Sequence, residues 1–207
     1  MAGVARKLRR RHTEDWRTLP WKRYLRNVRR LQQRIYRAER RGDWKRVRNL
    51  QRLLLRSWSA RCLAVRQVTQ DNRGKRTAGV DGVAALKPQQ RLKLAKRLRN
   101  LSSWKVAPIR RKYIPKPGTN EWRGLGIPVM ADRAMQALTK LALEPEWEAK
   151  FEPNSYGFRP GRSAHDAIEA IPSTGSGQAS TPSVSNPSTS WMQTSRNASI
   201  EYHTRPC

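Results

Sequence analysis

Apolar residues return every three or four positions from Trp21 onward. Trp21, Tyr24, Leu25, Val28, Leu31 and Ile35 fall on one side of a helix whose other sides carry arginine. Gly42 supplies a stop, and Asp43 caps a second helix carrying Trp44, Val47, Leu50, Leu54, Trp58 and, further on, Val65. The short connection predicts that the two pack as a helical hairpin, with their aromatic stripes as core. A glycine-punctuated loop follows from Gln70 to Gly82. Pro88, at a favoured first helical position, opens a third amphipathic helix through Leu92, Ala95 and Leu98.

The texture then turns to strand. Val106, Ile109, Tyr113 and Ile114 precede the turn signal Pro115, Lys116, Pro117, Gly118, Thr119, Asn120, and Leu125 to Val129 return as the partner. Asp132 is expected to cap a helix bearing Met135, Leu138 and Leu141, with Pro145 restarting it before Trp147. Ser163 and Asp166 form a capping box for a short helix to Ile171. The pattern is α+β, with no internal repeat.

Composition changes the picture at Pro172. From there to Cys207 the chain is rich in Ser and Thr, with four prolines and no apolar period, and is expected to be disordered. Almost all of the formal charge of +29 therefore lies before it. A DNA-mimic role is excluded, and a polyanion such as a phosphate backbone is the expected partner. Between Arg17 and Arg56 the only acidic residues are Glu39 and Asp43, whereas an ordinary solvated face mixes signs. Two cysteines and three scattered histidines build neither a disulfide framework nor a zinc site. No apolar run is long enough for a membrane span. The start MAGVARKLRRRH lacks the apolar stretch of a secretory signal and reads as a basic arm, a transit peptide being disfavoured by Glu14 and Asp15.

Residues 104–126 are the candidate site. A β-hairpin carrying Arg110, Arg111, Lys112, Lys116 and Arg123 sets point charges and bidentate forks on an exposed element, suited to triphosphate or nucleic-acid oxygens. The alternative is a basic but inert hairpin. Tyr113, Trp104 and Trp122 interleave with these charges as base-stacking candidates or as core. The 70–82 loop lacks P-loop spacing but is expected to offer backbone N–H groups to phosphate. His165 beside Asp166 reads as a capping neighbour rather than a catalytic pair, since no nucleophile is near.

The strings AVRQVTQDNRGKRTAGVDGV, WKVAPIRRKYIPKPGTNEWRGLGIP and ADRAMQALTKLALEPEWEAKFEPNSYGFRPGRSAHDAI follow one another after the helical hairpin. In that order and spacing, over almost all of residues 16–171, the chain resembles the N-terminal part of bacterial and organellar group II intron reverse transcriptase–maturases. The resemblance implies the fingers of a right-hand polymerase. It divides the chain into a basic helical extension (1–65), fingers and start of palm (66–171), and the tail (172–207). It places the triphosphate-contacting Lys and Arg of the family on Lys116 and Arg123. It implies an intron-RNA grip by the extension and fingers, including Arg73, Lys75, Arg110, Arg111 and Lys112, with Arg159 and Arg162 as template or structural contacts. Gly124 replaces the usual Pro after the hairpin Arg, which loosens the turn.

The family's magnesium-binding carboxylates, in a Val-Leu-Asp-Ala-Asp-Ile strand and a Tyr-Ala-Asp-Asp turn, do not occur. The family is one of RNA-directed DNA polymerases, but no catalytic or metal residue and no cofactor is expected in this chain, which alone is expected not to polymerise. The expected partner is group II intron RNA, with DNA as a further possibility and no membrane. Two alternatives stay open: a stand-alone splicing-assisting RNA binder, and half of a split enzyme completed by a palm and thumb chain. The resemblance implies a bacterial cytoplasmic location, or an organellar one. Without a palm, Leu138, Leu141, Trp147 and Ile168 are expected to form an exposed apolar patch and stability to be marginal.

The tail carries a second expectation. Codons can be chosen for Ala179 to Pro206 so that a shifted frame reads FNSIRLKPKYVLDADIEKCFDRISHTTL, like the family's missing palm strand. Trp191 and Met192 have single codons, which force GAT, Asp, in that frame, and the next triplet, running into Gln193, is GCA, Ala. A frameshifting insertion near Pro172 to Gln178 would make the tail out-of-frame translation.

Overall fold

The computed structural model describes residues 15–170. The basic arm, the tail from Pro172 and the expected helix end at Ile171 lie outside these residues. The described chain is α+β, with six α-helices and one two-stranded antiparallel sheet.

A 3-10 turn at Trp16–Thr18, capped by Asp15, leads into α1 (Trp21–Arg40). Its buried residues Tyr24, Val28, Gln32, Ile35 and Ala38 keep the three-and-four spacing of the sequence pattern. Gly42 ends it at φ +69°, where the Gly42 and Asp43 N–H groups reach back to the carbonyls of Glu39 (2.9 Å) and Ala38 (3.0 Å). Asp43 at once caps α2 (Trp44–Arg56), its Oδ1 accepting from the Arg46 N–H at 3.0 Å. The predicted helical hairpin is there, for the predicted reason.

The second helix does not run on to Val65. Ser57 is extended (ψ 129°), and a separate helix α3 (Trp58–Arg66) follows. The break has a packing cause. Ala60, Cys62, Ala64 and Val65 are wholly buried where α3 meets α1, α5 and α4 (Pro88–Arg97), a position that a straight continuation of α2 would not reach. A π-helical turn, Gln67–Asp71, and a 3-10 turn, Arg73–Arg76, then replace the first half of the predicted loop.

The predicted hairpin is β1 (Arg110–Pro115) with β2 (Trp122–Ile127), and α5 (Met130–Lys150) follows directly. Two details of α5 differ from expectation. Val129, not Asp132, is its N-cap residue; Asp132 lies buried inside the first turn, where its carboxylate accepts from Trp104 Nε1 (2.8 Å) and the Ala107 N–H (2.9 Å). Pro145 does not restart the helix but sits buried within it. A proline removes the N–H that would bond the carbonyl four residues back, here that of Leu141. Gln32 Nε2 of α1 donates to that carbonyl at 3.0 Å, and the helix continues. The last helix, α6 (Ala164–Ala170), opens on the expected box, with the Ser163 N–H on Asp166 Oδ2 at 2.6 Å.

One core joins Trp16 to Ala142 through Tyr24, Leu54, Val65, Leu98, Met130 and Leu138, without interruption at residue 65. The expected exposed patch is therefore only half present. Leu138 is wholly buried and Leu141 packs on the core, because α1 and α3 cover that side of α5, while Trp147 and Ile168 are exposed.

Candidate nucleic-acid interface

The hairpin is exposed on both sides over its whole length except at Ile127. Its register pairs Arg110 with Ile127, Lys112 with Leu125, Tyr113 with Gly124, and Ile114 with Arg123. Side chains alternate along a strand, and residues directly opposite share a face. One face therefore carries Arg110, Lys112, Ile114, Arg123, Leu125 and Ile127; the other carries Arg111, Tyr113, Pro115, Trp122 and the two glycines 124 and 126. The Lys116 N–H donates to the Glu121 carbonyl at 2.9 Å, which extends the ladder by one pair. Lys116 thus joins Arg123 on the first face. Its ammonium meets the Glu121 carboxylate at 2.5 Å, a pair open to water and easily exchanged for another anion. Gly124 does not disturb this register: Tyr113 covers it, its Cε1 3.5 Å from where a Cβ would stand.

The loop before α4 is held differently. Arg133 of α5 donates to the carbonyls of Pro128 (2.8 Å), Gly74 (3.0 Å) and Thr77 (2.8 Å), and burial lowers its pKa from the ordinary arginine value. Gly79 lies against Val129, whose Cα would be 2.7 Å from an added Cβ, so only glycine fits. The N–H groups of Lys75 and Thr77 are spent on the carbonyls of Asn72 and Gly74. Lys75 Nζ donates to the Gln70 carbonyl at 2.6 Å, whereas Arg73 is exposed. Of the two cations expected here, Arg73 is the more exposed.

Arg159 is buried. It donates to Glu148 (2.6 and 3.2 Å) and to the carbonyls of Glu152 (2.7 Å) and Ser155 (2.8 Å), so its fork staples the turn after α5. Arg162 donates to the Pro153 carbonyl and stacks over Tyr156, 5.2 Å from the ring centroid. Trp104, a stacking candidate by sequence, is committed to Asp132 and lies under Arg97. Tyr113 and Trp122 stay exposed.

Sequence reasoning noted one-signed helix faces but missed a cluster. A cavity of about 180 Å³ at the α1–α2 corner is lined by Arg34, Arg37, Ala38, Arg41, Asp43 and Arg46. The spacing 34, 37, 41 already puts three guanidinium groups on one helix face, but the fourth arrives only through the turn at Gly42. Among the described residues no group of three or more His, Cys, Asp or Glu is placed to hold a metal ion. The interior carboxylates are committed: Asp132 to Trp104 and Ala107, Glu148 to Arg159, Glu146 to Gln51 and Lys150. They do not fit the magnesium pair of a polymerase. No described helix is long and apolar enough to cross a membrane.

A helical body thus carries an exposed, strongly basic two-stranded hairpin. Residues 16–98 match the N-terminal domain of reverse transcriptase, and residues 114–195 match reverse transcriptase, the RNA-dependent DNA polymerase. The chain is 39% identical to protein YkfC of Escherichia coli K12 over 131 residues, which is 61% of this chain and 33% of that protein. It is 36% identical to maturase-like protein 1 of Euglena gracilis over 140 residues, 67% of this chain and 30% of that one. With the group II intron-encoded protein LtrA of Lactococcus lactis it shares 34% identity over 102 residues, 48% of this chain and 17% of LtrA. The chain belongs to the reverse transcriptase family, of the group II intron maturase type. The matched segments span a third or less of the length of these relatives.

Proposed function

We propose that this chain is a fingers-bearing, truncated form of a group II intron reverse transcriptase–maturase, which binds intron RNA and contacts a nucleotide triphosphate through Lys116 and Arg123 but does not polymerise alone. The observation that carries the reading is the hairpin face that groups Arg110, Lys112, Lys116 and Arg123 with one carboxylate, Glu121. Four cations on a stiff ribbon suit triphosphate and phosphodiester oxygens. Arg73 and the arginines at the α1–α2 corner extend the positive surface toward a large folded RNA.

Filter binding of the purified chain to a structured intron RNA across a salt series tests this. Affinity is expected to fall steeply with salt and to favour the intron over bulk RNA. Replacing both Lys116 and Arg123 by alanine is expected to abolish photocrosslinking to a nucleoside triphosphate while leaving most RNA affinity. Primer extension by the chain alone would overturn the inactive reading.

A second reading, an enzyme completed in trans by a palm and thumb chain, is favoured by the exposed Trp147, Phe151, Phe158 and Ile168 after the middle of α5. Co-purification of the two chains with extension activity absent from either alone would establish it.

A further inference from the structure

The second face of the hairpin has no role in the contacts above, and its construction is unusual. Glycines at 124 and 126 remove two side chains from β2, and the opposite strand lays its own across the gaps. Tyr113 covers Gly124, with ring atoms 3.5 and 3.9 Å from the position a Cβ would take, and Arg111 Cδ is 4.0 Å from the same point. Ile109 Cγ2 stands 3.0 Å from the corresponding point on Gly126. One edge of the tyrosine ring thus packs against the Gly124 backbone while much of the ring stays open to solvent: Tyr113 is 56% and Trp122 66% exposed. Trp122 pairs with Pro115, diagonally across from Tyr113. Diagonal cross-strand neighbours are about 7–8 Å apart, within reach of two large aromatic side chains acting on one ligand.

We infer that this face is a stacking platform for an unpaired nucleobase of a single-stranded RNA or DNA, held between Tyr113 and Trp122 with Arg111 beside it. The inference rests on the nucleic-acid reading above and adds to it a second contact mode on the reverse side of the hairpin. An exposed aromatic face alone would fit a protein partner equally well. The charge decides: Arg111 shares this face and the ribbon carries four further cations on its other side against Glu121, so the occupant combines planar apolar groups with a backbone of negative charge. The glycines have a purpose on this reading: they leave the room that Tyr113 and Ile109 fill, and branches beyond a Cβ at position 124 would displace the ring.

The test uses the full chain and a single-stranded oligonucleotide of about twelve residues carrying 2-aminopurine. Tyr113→Leu and Trp122→Leu are each expected to weaken binding roughly tenfold, the size of one base–aromatic stack, and to reduce quenching of the probe. The slope of affinity against salt should not change. Gly124→Val, whose methyl groups extend beyond a Cβ position already 3.5 Å from the ring, keeps both aromatics but displaces the Tyr113 ring and should weaken binding similarly. Lys112→Ala on the other face should instead reduce the salt slope, by about 0.7 for one phosphate on a single strand. Circular dichroism should show the same helix content in every variant, since all four positions lie outside the helical core.

If Tyr113→Leu, Trp122→Leu and Gly124→Val bind like the unmodified chain while Lys112→Ala loses slope, the platform is refuted and the nucleic-acid reading stands. If the aromatic variants lose slope as Lys112→Ala does, the loss is electrostatic and the platform is again refuted. If the unmodified chain binds neither this oligonucleotide nor structured RNA at low salt, both readings fall together.

Discussion

Arg159 and Arg162 lie three positions apart in the same glycine-containing run, yet one is buried on Glu148 and two carbonyls while the other stacks on Tyr156 at the surface. Arg159→Met leaves the Glu148 carboxylate buried without a counter-charge, a loss of about 3 kcal/mol for a pair of this burial. Hydrogen exchange should show residues 152–163 opening first, and Arg159→Lys should not restore protection, because an ammonium cannot reproduce the planar fork. Glu146 offers a pH test. Its hydrogen bond from Lys150 holds the carboxyl below the usual range, helped by Gln51 and opposed by burial. A lowered folded-state pKa means stability that is present above the unfolded carboxylate range and lost as pH falls through the folded value. The difference in urea midpoint between the natural chain and Glu146→Gln should be full at pH 7 and shrink below about pH 4.

Among the elements, α5 depends on a contact that its own sequence does not contain. Pro145 orphans the Leu141 carbonyl, and Gln32, one helix away, satisfies it. Gln32→Met should therefore cost about 1–3 kcal/mol, the desolvation of an unpaired buried carbonyl. In a Pro145→Ala background the helix supplies its own N–H, and the same substitution should be nearly neutral. A double-mutant cycle by thermal or urea unfolding reads the difference, and additivity would refute the account. The α1–α2 turn shows the opposite case. Gly42 and Asp43 are local signals sufficient for a stop, a cap and a reversal, and the structure uses both as the chain announces them.

On the scale of the molecule, charge and core are separated. The core is one continuous apolar cluster from Trp16 to Ala142, while the described arginines and lysines occupy the outer helix faces, the loops and the hairpin, with Arg61 and Arg159 as the buried exceptions. The like-signed surface costs stability through self-repulsion and is offset when a polyanion binds. Beyond residue 170 the expectation of out-of-frame translation has a direct check in the coding DNA. The third bases around Val184, Asn186 and Ser188 should read Leu, Pro and Tyr in the shifted frame; any other reading ends that proposal.

What the sequence determined by itself is what local chemistry dictates. Three-and-four apolar spacing gave α1 and α2, glycine and aspartate gave their turn, alternation with a Pro-Gly signal gave the basic hairpin, and the Ser163–Asp166 box gave α6. What only the tertiary structure decided depends on partners distant along the chain. The break at Ser57 follows from the packing of α3, the passage through Pro145 from Gln32, the burial of Asp132 from Trp104, and the anchoring of Arg159 from Glu148. The site divides in the same way: its charges were legible as residues, but which of them share a face was fixed by the register of β1 on β2. A periodic pattern records which side of an element is apolar; it does not record which neighbour will meet a particular polar atom.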